Sequence, residues 1–200
     1  MTKLITFIAT ETDGFHLDKP YDKTIKKNLY KYAHIVKLIY HQGTYSKGKI
    51  KTTLKKSVLI KPEHFIFPDE LSKINNITHD KLLKKGEDLE SVMEEFVDDL
   101  KNSEIVIGHN LPFHIKTIQA SLFRCGISHT MNQYTFIDIM DYNHNIEKPN
   151  LKNLAKNFLS EEYHDKSRNY NIILIKKIFA KLYFNMEKEV KNNDSKEENL

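Results

Sequence analysis

The chain has 200 residues, 40% of them apolar, and a formal net charge of +4. This length and composition suit one globular domain, and the mild positive charge permits nucleic-acid binding without arguing for it. No stretch approaches the roughly 18 apolar residues of a membrane span, and the N-terminus lacks a signal-peptide pattern. The single cysteine, Cys125, cannot form an intramolecular disulfide, so we expect a cytoplasmic protein with no membrane partner.

Three strands are predicted in the first third of the chain. The apolar run at 4–8 indicates a buried central strand, and residues 32–41 and 57–62 predict two more. Gly43 and Gly48 place a turn between the second and third strands. We therefore expect an antiparallel meander.

Helices and strands alternate in the rest of the chain. Helical periodicity or helix-boundary signals predict helices at residues 69–75, 88–102, 111–126, 150–159 and 168–186, and strands are predicted at 104–110 and 135–139. This order predicts an α/β fold, a mixed sheet flanked by helices, in one domain over residues 1–187. The polar residues 188–200 are expected to form a disordered tail.

Four separated segments carry a recognisable pattern: FIATETDGF at 7–15, a linking stretch at 61–78, IVIGHNLPFHIKTI at 105–118, and HDKSRN at 164–169. Together they resemble the proofreading-type 3′→5′ exonucleases of the DEDDh type, such as the epsilon subunit of DNA polymerase III and ribonuclease T. The resemblance covers roughly residues 3–185 and implies an RNase H-like fold. It also implies four metal-binding acids and one histidine.

The acids of this family are mostly absent from the matching positions. In the first motif Ala9 takes the position of the Asp, while Glu11, Thr12 and Gly14 match the pattern. The third segment matches at Gly108, His109, Asn110 and Phe113, but His114 takes the position of its acid. In the fourth, His164 matches the general base and Asn169 replaces the last acid. The resemblance thus leaves Glu11 and His164 as catalytic remnants.

The missing acids matter because the family hydrolyses phosphodiesters with two divalent cations about 4 Å apart. Magnesium prefers hard oxygen ligands, which carboxylates normally supply. Ala9 offers no ligand, Asn169 a neutral oxygen, and His114 a nitrogen better suited to manganese or zinc. We therefore expect no cofactor, with Glu11 the one remaining metal ligand if any binds. Magnesium or manganese is expected only if the protein is active.

Two arrangements would rescue a metal site. In the first, the acidic pair is displaced by one pleat of the strand, because Glu11 and Asp13 are also spaced i, i+2. Alternatively, His114 and Glu11 would bind one transition metal together with Asp165 or His164. That the substitutions were introduced deliberately also stays open from sequence alone.

The function that the sequence favours is a catalytically inactive exonuclease-like binding module. By resemblance, the groove for a 3′ end is lined by residues near the first and third motifs: Thr12, Gly14, Phe15, His16, His109, Asn110 and Phe113. His109 is also expected to brace the turn before its helix. The partner would be the 3′ end of a single-stranded nucleic acid or a protein of replication or repair. The alternative is an active metal-dependent exonuclease with an atypical site.

The lysine-rich stretch 47–56 has two interpretations. We interpret it mainly as a sheet edge kept soluble by its lysines. Phosphate contacts to a bound strand are the second interpretation.

Overall fold

The computed structural model describes residues 3–19, 23–46, 48–141, 150–160 and 171–184. Five strands form one sheet in the order β3-β2-β1-β4-β5. They are β1 (Lys3–Thr12), β2 (Ile35–Ser46), β3 (Lys49–Leu59), β4 (Ile105–Gly108) and β5 (Thr135–Asp138). The first three strands pair antiparallel, whereas β4 and β5 run parallel to β1. The predicted mixed α/β sheet is confirmed.

Helices cover both faces of this sheet. They are α1 (Asp69–Asn75), α2 (His79–Lys85), α3 (Leu89–Leu100), α4 (Leu111–Arg124), α5 (Leu151–Leu159) and α6, which covers the described residues 171–184. Short 3-10 turns occupy Lys26–Lys31 and Met131–Gln133. Among the described residues, no helix has the length and apolar character needed to cross a bilayer.

Alternating residues of β1 serve two apolar clusters. The front face of the sheet packs against α5 and α6 through residues such as Phe7, Ile39 and Ile178. The back face packs against α3 and α4 through residues such as Ile8 and Phe96. Because side chains of a strand alternate between faces, this division fixes which residues of β1 can share one site.

The predicted turn between the second and third strands is wrong in length. β2 continues to Ser46 and β3 already begins at Lys49, so Gly43 lies inside a strand. A Cβ at Gly43 would stand 2.5 Å from the carbonyl oxygen of Lys51. The glycine therefore allows the two strands to approach where their register shifts, and it does not mark a loop.

Candidate active site at the end of the central strand

Residues 9 and 11, where the exonuclease pattern places an Asp and a Glu, both lie on the front face at the end of β1. Ala9 is 2% exposed and belongs to the front apolar cluster. Glu11 is half-buried and pairs across the sheet with Lys37 of β2. The strand therefore presents one carboxylate at this end of the front face, with a buried methyl group where the pattern has a second.

The cross-strand neighbour of Glu11 is a cation. Burial lowers the pKa of Lys37, and the charge of Glu11 partly offsets this effect. The carboxylate thus has an ammonium group close enough to sense its charge. Such a neighbour reduces the negative field that a pair of divalent cations needs.

His114, which the resemblance places at the acid position of the third segment, is buried on the back face of β1, opposite Ala9 and Glu11. Its Nδ1 accepts the backbone N–H of Thr10 at 3.1 Å and lies 2.9 Å from the Thr10 hydroxyl oxygen. A ring nitrogen that accepts an N–H bond carries no proton, so the neutral ring holds its proton on Nε2. Glu11, which follows Thr10 in β1, faces the front of the sheet, so the side chains of Glu11 and His114 lie on opposite faces. His114 is therefore used as a hydrogen-bond acceptor for the strand.

Asp13, the second acid of the displaced-pair alternative, is engaged by His34. Its Oδ1 accepts the backbone N–H of His34 at 2.6 Å, and its Oδ2 lies 2.7 Å from the imidazole Nδ1. The pairing of β1 with β2 also becomes irregular just after Glu11. These contacts favour a turn-closing role for Asp13 over one as partner of Glu11.

The segment after β1 carries one strongly exposed aromatic side chain. Phe15 is 85% exposed, and its ring centroid lies 6.4 Å from that of Phe113. Thr12 donates its hydroxyl to the carbonyl oxygen of Gly14 at 2.7 Å, which holds the turn that presents Phe15. The placement of these residues is compatible with the predicted groove, and their binding of nucleic acid stays a prediction.

His16 has a structural use that its sequence context did not indicate. Its Nδ1 accepts the backbone N–H of Ala33 at 3.1 Å, so Nε2 donates to the carbonyl of Phe113 at 3.2 Å. Burial lowers the pKa of His16. The imidazole therefore joins the segment after β1 to α4 as a neutral ring, and a role in base stacking stays a prediction.

A second tie holds the same segment, and sequence reasoning missed it. Lys116 of α4 is 3% exposed, and its ammonium lies 2.8 Å from the carboxylate of Asp18. It also donates to the carbonyl of Lys19. A buried lysine in a helical apolar pattern was the available signal, since such a residue needs a partner.

The turn before α4 is closed by Asp138, a residue predicted only as part of a strand. Its carboxylate accepts the backbone N–H groups of Asn110 at 3.0 Å and Leu111 at 2.7 Å. Asn110 adopts a left-handed conformation with φ 55° and has no side-chain capping bond. Burial raises the pKa of Asp138, and its backbone hydrogen bonds and the nearby His109 partly offset this. The helix cap is thus Asp138, with His109 beside it.

The remaining predicted site residues, His164, Asp165 and Asn169, lie outside the described residues, as do residues 185–200. In the described ranges, no group of three or more His, Cys, Asp or Glu side chains is arranged to hold a metal ion.

The mixed sheet and its helices have the fold of solved exonucleases. Exonuclease I of E. coli with a dT13 oligonucleotide matches with a TM-score of 0.68, at 14% identity, over 96% of this chain and 43% of that chain. The same enzyme with a dA16 oligonucleotide matches with a TM-score of 0.64, at 14% identity, over 88% of this chain and 40% of that one. Exonuclease I of Methylocaldum szegediense matches with a TM-score of 0.63, at 13% identity, over 90% of this chain and 40% of that chain. The fold is thus RNase H-like, as predicted, and the chain spans 40–43% of these structures.

The family itself is shown by sequence. A family model described as Exonuclease matches residues 10–165, which is more than half of the chain. No curated protein matches the sequence. The chain belongs to the DEDD-type 3′→5′ exonuclease family, and the resemblance seen in its motifs is confirmed.

The described residues do not fit the magnesium or manganese that this family normally uses. Ala9 has no donor atom, and the Nδ1 of His114 already accepts from Thr10. Binding a metal through Nε2 would require moving the ring proton to Nδ1, which would break the same bond. Glu11 remains, with Lys37 as its cross-strand neighbour. One carboxylate beside an ammonium group is a poor ligand set for a hard divalent cation.

Proposed function

We propose that this protein is a catalytically inactive member of the exonuclease family that binds the 3′ end of a single-stranded nucleic acid. The proposal combines a family fold with a site whose described residues lack the carboxylates for two-metal hydrolysis. Family solved structures contain bound oligonucleotides, which supports nucleic acid as the ligand of the corresponding groove here.

The single observation that carries the loss of catalysis is the hydrogen bond from the Thr10 N–H to Nδ1 of His114. A simple replacement of Asp by His could still supply a metal ligand. Here the ring is turned to the back of β1, and its lone pair is already used. Ala9 lies inside the front apolar cluster, which supports a structural and not a metal-binding role for this end of β1.

The binding part of the proposal rests on the exposed segment after β1. Phe15 projects into solvent beside Phe113, while His16 and Lys116 fix the segment to α4. An exposed aromatic side chain on such a segment can stack on any base and contribute about 1–3 kcal/mol per base. We infer that Phe15 is the residue that contacts the terminal bases.

The test is a degradation and binding assay on 3′-labelled single-stranded DNA and RNA, in magnesium and then in manganese. We expect binding without cleavage, and weaker binding by Phe15→Ala. Cleavage that Glu11→Gln abolishes would establish the alternative, an active enzyme with an atypical metal site. Cleavage that persists in Glu11→Gln would reveal a contaminating nuclease. Absence of both cleavage and binding would contradict the nucleic-acid proposal and favour a protein of replication or repair as partner.

A further inference from the structure

Away from the end of β1, the front face carries a buried imidazole whose Nδ1 has no hydrogen-bond partner among the described residues. His41 of β2 is 7% exposed, and within the described part of the chain its Nδ1 contacts no donor or acceptor. It pairs with Phe7 on one side and with Lys55 of the edge strand β3 on the other. Because Phe7 belongs to the front cluster, His41 and Lys55 lie on the front face as well.

A second lysine reaches this position from a distant part of the sequence. Lys176 of α6 is half-buried and donates its ammonium to the hydroxyl of Thr52 on β3. Burial lowers its pKa, and the charge of Lys55 lowers it further. Burial also lowers the pKa of His41 to about 4, with Lys176 and Lys55 contributing. The two lysine ammonium groups thus lie close enough to repel each other, and their charges disfavour protonation of His41.

The area lacks a compensating anion among the described residues. Neither Lys55 nor Lys176 forms an ion pair there, and the oxygen that receives Lys176 is a neutral hydroxyl. Lysine ammonium groups of this kind are common binders of phosphate as point charges. A half-buried cation without a counter-ion carries a desolvation cost that a bound anion would offset.

We propose that Lys55, Lys176 and His41 form a phosphate-binding site for the backbone of a single-stranded nucleic acid. This inference rests on the proposed function and adds a second contact to it. Lys37, the neighbour of Glu11, lies four residues before His41 on the same face of β2. That separation is about 13 Å along a strand. A single-stranded nucleic acid whose 3′ end lies near Glu11 would run along β2 and place an upstream phosphate on Lys55 and Lys176.

The test compares two double variants with the same change of charge. Lys55→Gln/Lys176→Gln removes the proposed site. Lys49→Gln/Lys51→Gln is the matched control, because these exposed lysines of β3 flank Ile50, which packs in the front cluster, and so face the other way. Binding of a labelled single strand is measured from 50 to 300 mM salt, and melting temperatures establish that both variants fold.

Loss of two phosphate contacts on a single strand reduces the slope of log affinity against log salt by about 1.4 and the affinity about 25-fold at 0.1 M salt. We expect this change in Lys55→Gln/Lys176→Gln and at most a small one in the control. Equal losses in both variants would show a general charge effect and overturn the site. An unchanged slope in both would overturn it as well.

A second measurement keeps the site testable if the wild-type protein binds no strand, which would refute the proposed function itself. Inorganic pyrophosphate is titrated while the ring signals of His41 are followed by NMR, with His41→Gln for assignment. A shift in the wild type that disappears in Lys55→Gln/Lys176→Gln would support a site for free phosphate groups. No shift would overturn the phosphate site.

Discussion

The imidazole of His114 acts, at the scale of single residues, as a support for the backbone of β1. The pairing of β1 with β4 ends at Phe7, so the Thr10 N–H on that side has no strand to donate to. His114 supplies the acceptor at 3.1 Å. Buried backbone donors are almost always satisfied, because an unpaired one costs about 1–3 kcal/mol. His114 thus stabilises the end of β1.

We expect His114→Ala to lower the free energy of unfolding by about 1–3 kcal/mol, since it leaves the Thr10 N–H buried and unpaired. His114→Asn should lose less, because its amide oxygen can accept the same bond. Urea denaturation in the presence of EDTA measures both. Equal stability of the wild type and His114→Ala would contradict the supporting role. A loss that appears only when metal is present would identify His114 as a ligand.

Buried imidazoles also predict how stability depends on pH. Burial lowers the pKa of His16 and His129, and that of His41 to about 4. In the unfolded chain these rings titrate near pH 6.5, so below that pH the unfolded state binds more protons than the folded state does. The contribution of these neutral rings to the free energy of unfolding is fully present above about pH 6.5 and is lost as the pH falls toward 4.

We therefore expect the free energy of unfolding to decline between pH 6.5 and 4, and His41→Gln to decline less steeply. Urea unfolding at half-unit pH steps provides the comparison, and subtracting the two curves removes the shared titration of carboxylates. Parallel curves for the wild type and His41→Gln would mean that His41 is not held neutral in the fold.

Among the elements, α4 depends on a cap from outside its own sequence. Asp138 at the end of β5 accepts the N–H groups of Asn110 and Leu111, the first donors of the helix. A carboxylate at a helix N-terminus satisfies orphan donors and complements the helix dipole. The cap also joins β5 to the turn that follows β4.

Asp138→Ala should lower the free energy of unfolding by about 1–2 kcal/mol, the usual effect of removing a cap. Asp138→Asn should lose less, because one amide oxygen still accepts. Hydrogen exchange gives the local readout: the amides of Asn110 and Leu111 should exchange faster, while those in the middle of β2 should not. Unchanged exchange at both amides would show that the cap is dispensable.

The elements also show where sequence reasoning reaches its limit. Long periodic segments such as α3 and the motif-bearing β1 and α4 were predictable because apolar spacing or family pattern marked them. The sequence predicts only residues 57–62 as a strand, whereas β3 covers Lys49–Leu59. The lysines of β3 alternate with residues that are only half-buried, so the sequence of its first half resembles that of a loop. Helix α2 was missed, since its seven residues contain one buried side chain, Leu82. Periodicity cannot detect so short an apolar face.

The sequence predicts which residues form the candidate site, but it does not predict the directions of their side chains. The motif placed Ala9, Glu11 and His114 in one site, and the structure brings them to one end of β1. Only the three-dimensional contacts show that His114 lies behind the strand and that Lys37 lies across from Glu11. Both relations join residues far apart in sequence. Single-chain patterns therefore cannot supply them.

At the scale of the whole molecule, the loss of acids that we propose would remove a source of instability. A two-metal site concentrates like charges that repel one another when no metal is bound. In this chain the corresponding strand end combines a buried Ala9 with the neighbours Glu11 and Lys37. The packing of helices on the two faces of the sheet is then stabilised by the front and back apolar clusters. We expect its stability to be independent of divalent cations.

This expectation is tested by restoring the family's acids. Ala9→Asp/His114→Asp/Asn169→Asp should be less stable than the wild type in EDTA, because it adds like charges that repel one another. Magnesium should then stabilise it, by about 2.7 kcal/mol where the metal is at 100 times its dissociation constant. Thermal unfolding with and without magnesium measures both effects.

A neutral counterpart, Ala9→Asn/His114→Asn, separates charge from shape, because it keeps Asn169 and adds amides of similar size. It should show no response to magnesium. If the wild type itself is stabilised by magnesium or manganese, then Glu11 belongs to a working metal site, and the inactive-exonuclease proposal fails. If only the acidic triple variant responds, the fold still accommodates the family's cations. Replacement of side chains on an otherwise unchanged strand end would then account for the metal's loss.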